Sequence, residues 1–442
     1  MSMLFRPGTF SRGVHPEEHK GTASLPIRRM PFVGRYVLPL LQHIGTPMRA
    51  VVTVGQRVAR AQTVAEPGGL LSTTLHSPVT GTVVALHTRP HPLGGWGEAI
   101  EIETDRFASQ RLPRAPMPWA SLSRSEFVRA VQAAGLVGMG GAAFPTHVKY
   151  APIADKPLRW LLVNGCECEP YLTSDHRLML ERPEAVIRGA CIVMEKLDLE
   201  AVEIGVEANK QDAIEALEGA SRDHDRIRIV PLRVKYPQGA EKMLIKAVFG
   251  KEVPAGGLPV DIGIVVNNVA TIAAIAEYFE RGAPLVERVV TVAGSGVDEP
   301  ANLLVPIGAP VRDVLQYAGL REDARQVVMG GPMMGVPLAS LDVPILKGTS
   351  GLLAFADAEL EGHAEYPCLR CGRCLDACAS SLNPARLAKL ARHRRYEELE
   401  ALFVADCMEC GACTYACPSG IPIVHLIRTA KAALRERKVG EC

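Results

Sequence analysis

Two cysteine runs near the C-terminal end constrain this chain of 442 residues more than any other feature. Both runs have the spacing C-x2-C-x2-C-x3-C, and a proline follows the last cysteine of the second run. In this pattern three thiolates at steps of three residues wrap one [4Fe–4S] cluster, and the fourth cysteine ligates the other cluster. The runs therefore predict two [4Fe–4S] clusters. Their ligands would be Cys368, Cys371, Cys374, Cys378, Cys407, Cys410, Cys413 and Cys417.

The crossed pattern exchanges one cysteine between the two runs. Cys417 completes the ligand set of the first run, and Cys378 completes that of the second. Zinc is the alternative, but zinc modules use separated C-x2-C pairs that meet in space rather than three ligands within seven residues. Ala379 replaces the proline expected after the first run, a departure that removes no ligand. Iron–sulfur clusters are therefore the favoured interpretation.

The segment between the two runs, residues 383–406, has the pattern of a helix. Asn383 is a suitable N-cap, Pro384 fits the first turn, and apolar residues recur at helical spacing. A helical spacer resembles the all-helical type of two-cluster ferredoxin. The cationic run Arg392–Arg395 is either a solvated face or a docking patch, and the pattern alone leaves both interpretations open.

Composition excludes several classes of protein. The chain has 49 Lys and Arg against 48 Asp and Glu, so it lacks the basic excess of a nucleic-acid binder that relies on charge. Its 48% hydrophobic residues support a large core, and its length predicts about three domains. No apolar run approaches the ~20 residues of a transmembrane helix, and we see no secretory signal. These features predict a cytosolic or cytosol-facing protein whose cysteines are not in disulfides.

The N-terminal part predicts an extended arm over residues 1–30 and then a small β-domain. Apolar and polar residues alternate over residues 36–103, with glycines and prolines between the alternating segments. This pattern resembles the flattened barrel of biotinyl and lipoyl domains, which present a modifiable lysine. No lysine lies between Lys20 and Lys149, so a carrier role is excluded and a structural or docking role is left.

A Gly-rich loop and a following strand predict a cofactor site. The loop runs from Gly135 to Lys149, and its backbone and lysine suit a phosphate, although a plain tight loop is the alternative. The apolar strand that ends at Asn164 is followed by acidic and polar residues, as in a nucleotide or flavin crevice. Strands and helices alternate from about 155 to 280, which predicts an α/β domain with a parallel sheet.

Four segments of this region occur in an order that resembles the NADH-binding flavoprotein subunit of respiratory complex I. They are GLVGMGGAAFPTHVKY, LVNGCECEPYLTSDHRLM, the turn 239–241 and VVNNVAT. With the barrel-like domain before them and the cysteine runs after them, the whole chain resembles the C-subunit family of Rnf (Rsx) electron-transport complexes. Met139, Ala143 and Cys166 depart from the complex I pattern, where an arginine, a glycine and an acidic residue stand.

The resemblance implies a non-covalent FMN and names the residues that would contact it. They are Gly138, Gly140, Gly141, Lys149, Asn164, Glu167, Gly239, Glu241, Asn267 and Asn268. It implies that Phe144 and Glu169 contact the nicotinamide nucleotide, and no catalytic side chain is predicted. Cys166 and Cys168 could form a redox dithiol, but inert packing is the favoured interpretation. Cys191 and Cys442 have no predicted role.

The predicted fold class is multidomain α/β plus β, with four units. Residues 1–115 form the arm and a barrel-sandwich hybrid domain, and residues 116–284 form the FMN- and NADH-binding α/β domain. Residues 285–355 form a β-grasp domain of the soluble-ligand-binding (SLBB) type, which we expect to be a structural spacer. Residues 356–442 form the helical domain with two [4Fe–4S] clusters.

The expected function is electron transfer between NAD(H), FMN and two [4Fe–4S] clusters, and ultimately to or from ferredoxin. The resemblance implies a peripheral subunit at the cytoplasmic face of the bacterial inner membrane, with integral and peripheral partner subunits and no nucleic acid. One alternative is a flavin/iron–sulfur cobalamin reductase, although the flavin domain comes first there. The other is a non-enzymatic electron-wiring protein with a decayed flavin pocket. The direction of electron flow, the coupling ion and the choice of NADH over NADPH are left open.

Overall fold

Strands dominate the N-terminal part of the chain, as the alternating pattern predicts. The computed structural model describes residues 8–112, 114–151, 156–357 and 364–440, and Cys442 lies outside them. One sheet has the order β2-β8-β7-β4 and a second has the order β3-β5-β6. Tyr36, Leu38, Ile100 and Ile102 are fully buried in the core of this unit. The strands are β1 (Ile27–Arg29), β2 (Arg35–Pro39), β3 (Arg49–Ala50), β4 (Arg57–Val58), β5 (Thr63–Glu66), β6 (Leu75–His76), β7 (Gly81–Pro90) and β8 (Trp96–Thr104).

The second unit is an α/β domain whose four strands are all parallel, in the order β11-β10-β9-β12. The capping box predicted for its first helix is present, because Ser123 and Glu126 bond each other's backbone N–H. The elements are α1 (Arg124–Ala133), α2 (Thr146–Tyr150), β9 (Trp160–Gly165), α3 (Ser174–Glu181), α4 (Pro183–Lys196), β10 (Ala201–Glu207), α5 (Gln211–Ala220), β11 (Ile227–Leu232), α6 (Glu241–Phe249), β12 (Ile264–Asn268) and α7 (Val269–Arg281).

The third unit is a mixed sheet of six strands in the order β1-β14-β13-β17-β15-β16. Its edge strand β1 comes from the N-terminal arm, where Ile27 pairs with Asn302. The arm therefore supplies a strand to a sheet that is about 270 residues away in sequence. The elements are β13 (Glu287–Ala293), β14 (Ala301–Pro306), α8 (Val311–Tyr317), β15 (Ala324–Met329), β16 (Val336–Pro337) and β17 (Gly351–Ala356).

The regular elements among the described residues of the C-terminal unit, 364–440, are all helices, joined by turns and loops. Asn383 caps its second helix by accepting the Arg386 N–H at 3.1 Å, as predicted. The spacer is not one continuous helix, because Arg394 adopts φ = 55°, a left-handed conformation that ends a helical segment. The helices are α9 (Arg373–Ala377), α10 (Pro384–Arg392), α11 (Tyr396–Ala401), α12 (Ala412–Tyr415) and α13 (Ile423–Gly440). Single 3-10 turns lie at Trp119–Ser121, Pro259–Ile262 and Val404–Asp406. Across the described chain, none of the helices combines the length and apolar character needed to cross a bilayer.

Candidate functional site

The Gly-rich loop is closed by its own backbone and borders open space. The Gly138 N–H donates to the Phe144 carbonyl at 2.8 Å, and the Ala143 N–H donates to the Gly138 carbonyl at 3.0 Å. Gly141 has φ = 109°, and no atom lies within 4 Å of the position that a Cβ would take there. A backbone that is free of side chains next to open space allows a phosphate to approach closely.

Helix α2 follows this loop and brings Lys149 to the edge of the sheet. The Lys149 ammonium donates to the Glu241 carboxylate and to the Val266 carbonyl, both at 2.9 Å. Lys149 therefore connects the loop to the middle of β12 and to the first residue of α6. Three of the predicted FMN contacts, on three separate segments, come together here: Lys149, Glu241 and, one residue beyond Val266, Asn267.

The asparagines lie where parallel strands end, so that they are neighbours. Asn164 of β9 is in register with Asn268 of β12, because both strands run in the same direction. The Asn164 amide donates to the Gly239 carbonyl at 2.9 Å. Asn268 donates to Asp175 at 2.6 Å, and its amide nitrogen lies 3.3 Å from the Cβ position of Gly140. The sheet thus assembles residues that lie far apart in sequence.

The two predicted acidic contacts, Glu167 and Glu169, are held by protein groups. The Glu167 carboxylate accepts the Ser174 hydroxyl at 3.0 Å and two backbone N–H groups in the first turn of α3. The Glu169 carboxylate accepts the N–H groups of Met333 and Met334, both at 2.9 Å. Burial raises the pKa of Glu169 to about 7. Phe144 is half-buried at the end of the loop. The FMN and nucleotide contacts assigned to these residues stay predictions.

The structure adds a lysine that the motifs did not indicate. Lys20, on the N-terminal arm, donates to the carbonyl oxygens of Glu167 at 2.8 Å, Glu169 at 2.7 Å and Leu172 at 2.5 Å. Burial lowers the pKa of Lys20, while the Glu167 carboxylate acts in the opposite direction. The only cue in the sequence was that Lys20 is isolated from other lysines. Sequence alone did not connect it to a loop 147 residues away.

The turn at Gly239 leaves no room for a side chain and contains an unpaired amide. A Cβ on Gly239 would lie 2.7 Å from the Cys166 carbonyl oxygen. The neighbouring Gln238 is fully buried, and neither of its side-chain polar atoms has a hydrogen-bond partner among the described residues. An unpaired buried amide is costly unless another group pairs with it. With Lys149 and the asparagines, this donor and acceptor set fits a phosphate-bearing flavin, whose ring has both kinds of group.

Cys166 and Cys168 lie next to the same turn as free thiols, with Cys166 buried and Cys168 half-buried. Burial raises the pKa of both thiols above the ordinary range, and Glu207 raises both further. The Cys168 sulfur accepts the Gly239 N–H at 3.3 Å. A thiol with a raised pKa is a poor nucleophile, which supports the packing interpretation of these two residues.

The eight cysteines of the two runs fall into two groups in space. Cys378 lines one cavity with Cys407, Cys410 and Cys413, and we call these four the inner group. Burial raises the pKa of Cys413 to about 12, and its three neighbours add to the effect. Burial also raises the pKa of Cys374, and Cys368 and Cys417 raise it further. Those three form the outer group together with Cys371, which is exposed on the same loop. Each group includes one cysteine from the opposite run, as the crossed pattern predicts.

Comparison with known proteins decides the family. The RnfC barrel sandwich hybrid domain matches residues 8–107, and the Nuo51 FMN-binding domain matches 131–277. The SLBB domain matches 289–337, and the 4Fe-4S dicluster domain matches 366–421. The C subunit of the proton-translocating ferredoxin:NAD+ oxidoreductase complex of Clostridium ljungdahlii is 43% identical, over 88% of this chain and 86% of that protein. The chain belongs to this C-subunit family.

Other relatives support the same family assignment. The C subunit of the Na+-translocating ferredoxin:NAD+ oxidoreductase complex of Acetobacterium woodii is 40% identical, over 99% of this chain and all of that protein. The C subunit of an ion-translocating oxidoreductase complex of Pseudomonas aeruginosa is 44% identical, over 96% of this chain but 55% of its own length. A crystal structure of an NAD+-reducing [NiFe]-hydrogenase matches with a TM-score of 0.52 and 22% identity, over 72% of this chain and 63% of the hydrogenase chain. That likeness shows the fold alone.

These matches confirm the predicted fold class and cofactors. This member of the family has an FMN-binding domain and a domain for two [4Fe–4S] clusters, which gives it an electron-transfer role. The four matched domains follow the predicted order. The individual contacts to FMN and to the nucleotide, the individual cysteine ligands of each cluster, and the predicted domain boundaries stay predictions.

The inner cysteine group of this family member packs against the flavin domain. The Tyr236 hydroxyl, three residues before Gly239, donates to the Cys410 carbonyl at 2.6 Å. Tyr236 shares a small apolar cluster with Cys168 and Cys410. A Cβ on Gly411 would lie 2.7 Å from the Met333 carbonyl, so this contact is close. The outer group, by contrast, includes the exposed residues Cys368 and Cys371.

Proposed function

We propose that this chain is the NAD(H)-binding subunit of a membrane-bound, ion-translocating electron-transport complex. The observation that supports it most is the contact from Tyr236 to Cys410, which joins the predicted flavin turn directly to a cysteine of the inner group. Electrons would pass between the nucleotide and the flavin site, then the inner cluster, then the outer cluster and a partner. The exposed outer group suits the last position in this order.

FMN, when bound, supplies the conversion between two-electron hydride transfer and one-electron transfer. The chain's own residues bind and orient it. The ammonium of Lys149 and the backbone of the Gly-rich loop suit its phosphate, and Asn164 and Asn267 suit its polar edge. Glu167 accepts the Ser174 hydroxyl and the Asp175 N–H and so holds the start of α3 in place.

The nucleotide would bind between Phe144 and Glu169. Phe144 offers an aromatic face for stacking, and Glu169 offers a carboxylate that already accepts two backbone N–H groups from the third unit. A nucleotide hydroxyl that bonds to Glu169 would therefore also be close to the turn at Met333. This arrangement gives the third unit a place at the edge of the nucleotide site.

The partners and location are inferred from the relatives, whose names include ferredoxin, NAD+ and either proton or Na+ translocation. Integral subunits of the same complex would carry the ion, and ferredoxin would exchange electrons with this chain indirectly. The chain would then be peripheral at the cytoplasmic face of the bacterial inner membrane.

Anaerobic purification followed by cofactor analysis tests this proposal. We expect about one FMN and about eight irons per chain, and we expect NADH to bleach the flavin absorbance. Iron without flavin, together with no response to NADH, would instead identify an electron-wiring protein. Co-purification with integral membrane subunits would exclude a cobalamin reductase, and reduction of a cobalamin by NADH without such subunits would favour it. A Lys149→Met variant that binds FMN as well as the parent chain would refute the assignment of the phosphate site.

A further inference from the structure

Strand β13 of the third unit carries a buried arginine that contacts the Gly-rich loop. Arg288 is 2% exposed, and it forms no ion pair with a described residue. Burial lowers the pKa of Arg288 to about 10, against the effect of the Asp175 and Glu167 carboxylates, so the side chain is still a cation at neutral pH. A buried charge without an ion-pair partner costs stability. The guanidinium donates instead to the carbonyl oxygens of Met139 at 3.1 Å, Lys347 at 2.6 Å and Val289 at 3.2 Å.

Arg288 bonds to the peptide that joins Met139 to Gly140, in the middle of the loop. This peptide is trans, and in a trans peptide the carbonyl and the N–H point in opposite directions. Because the Met139 carbonyl points to Arg288, the Gly140 N–H points away from it, to the other side of the loop. The N–H groups of Gly140 and Gly141 donate to no residue that the structure describes. Two free N–H groups on a loop that borders open space suit an anion such as a phosphate.

The third unit also holds the start of the loop. Lys347, which lies between β16 and β17 and is fully buried, donates to the Gly135 carbonyl at 2.7 Å. A Cβ on the next residue, Gly348, would lie 3.3 Å from the Gly141 carbonyl oxygen, so the two backbones are close. Burial lowers the pKa of Lys347 to about 7, so its charge is not permanent at neutral pH. Arg288 is therefore the constant positive charge that the third unit brings to the loop.

We propose that Arg288 is a positioning residue of the flavin site, which orients the peptide between Met139 and Gly140 so that its N–H binds the FMN phosphate. This inference rests on the proposed function. A cation at the carbonyl of a peptide strengthens the N–H of the same peptide as a donor, since hydrogen bonds in a chain polarise one another. The guanidinium also attracts the phosphate through the loop, because a buried charge is screened little by salt. The third unit would then take part in flavin binding and would not be only a structural spacer.

Riboflavin separates this role from simple support of the loop. It has the ring of FMN but no phosphate, so a residue that acts on the phosphate should affect the binding of FMN and not that of riboflavin. A residue that only keeps the loop folded should affect both flavins equally. The variants are Arg288→Met, which removes the charge and the donors, and Arg288→Lys, which keeps the charge. The control is Arg60→Met, because Arg60 is also buried and bonds to the carbonyl oxygens of Pro78 and Gln110 and not to the loop.

Fluorescence titration of the full chain, purified anaerobically with its clusters and then freed of flavin, tests the proposal. For Arg288→Met we expect the dissociation constant of FMN to rise about tenfold or more, and that of riboflavin to change less than about threefold. Arg288→Lys should recover at least part of the lost FMN affinity. Arg60→Met should bind both flavins as the parent chain does.

Equal losses for the two flavins in Arg288→Met, or unchanged binding of FMN, would overturn the proposal. So would a lysine variant that binds FMN no better than the methionine variant, or an equal FMN-specific loss in Arg60→Met. A parent chain that binds FMN and riboflavin with the same affinity would also overturn it, because the phosphate would then contribute nothing. If Arg288→Met loses iron, Arg288→Gln replaces it under the same criteria. Failure of the parent chain to bind either flavin would instead refute the proposed function.

Discussion

Tyr236→Phe removes one hydroxyl from the junction between the flavin turn and the inner cysteine group and leaves the ring in place. Burial raises the pKa of Tyr236, as do Glu169 and Cys168, so the hydroxyl is protonated and acts as a donor. Its partner, the Cys410 carbonyl 2.6 Å away, belongs to a predicted cluster ligand. Loss of the donor leaves that carbonyl unpaired at a cost of about 1–3 kcal/mol.

Part of this free energy depends on the redox state of the cluster. A donor dipole stabilises the more negative, reduced state, so its removal should lower the reduction potential. If a third to a half of about 1.5 kcal/mol differs between the two states, the potential falls by roughly 20–30 mV, since about 59 mV corresponds to a tenfold change for one electron. Potentiometry followed by electron paramagnetic resonance measures this shift for each cluster separately.

The matched control is Tyr278→Phe, since Tyr278 is a half-buried tyrosine of α7 that lies against Phe279. Neither cluster potential should change in that variant. A rise in the inner potential, no measurable shift, or a shift confined to the outer cluster would refute the assignment of the inner group to the flavin junction. Equal shifts in both tyrosine variants would show that the effect is not specific to this hydrogen bond.

Three further changes test the site. Lys20→Met leaves three carbonyl oxygens without their donor, so thermal unfolding and FMN titration should show lower stability, by about 3 kcal/mol or more, and weaker FMN binding. Gly239→Ala should abolish FMN retention on gel filtration because of the 2.7 Å contact to the Cys166 carbonyl. Glu169 has a pKa raised from 4.5 to about 7 in the folded chain, so it binds its proton more tightly there, and the free energy of unfolding should decrease as pH rises between those values. Glu169→Gln should remove that decrease in urea titrations at a series of pH values.

Each of these changes has a control or a contradicting result. Gly219→Ala is the control for Gly239→Ala, because nothing lies within 4 Å of its Cβ position in helix α5 and an alanine there should stabilise the chain slightly. Normal FMN binding by the Lys20→Met chain would show that the loop does not depend on the arm. A Glu169→Gln chain with the same pH profile as the parent would assign the proton to another group, of which Asp175, also with a pKa raised by burial to about 7, is the first to test.

Local patterns predicted the parts of this chain that depend on neighbours in sequence. The cysteine spacing predicted that Cys378 lies with the second run, and Cys378, Cys407, Cys410 and Cys413 line one cavity, while the ligand assignments stay predictions. The caps at Ser123 and Asn383 formed as expected. The contacts of Lys20 and of the Tyr236 hydroxyl were not predictable, because each joins segments more than 140 residues apart. The break at Arg394 also escaped prediction, since arginine is a good helix former and nothing in the sequence pattern indicates a left-handed residue there.

The course of the N-terminal arm bears on how the chain is made. Gly8 pairs with Leu232, Val14 pairs with Tyr236, and Arg12 bonds to Leu375 across 363 residues. None of these contacts can form until the ribosome has released the residues that receive the arm. The arm is synthesised before the residues that receive it but is among the last segments to reach its final position, because closing so large a loop is entropically costly and slow. We expect that cluster insertion into the C-terminal unit can precede this step, so that the arm secures a domain that already holds its iron.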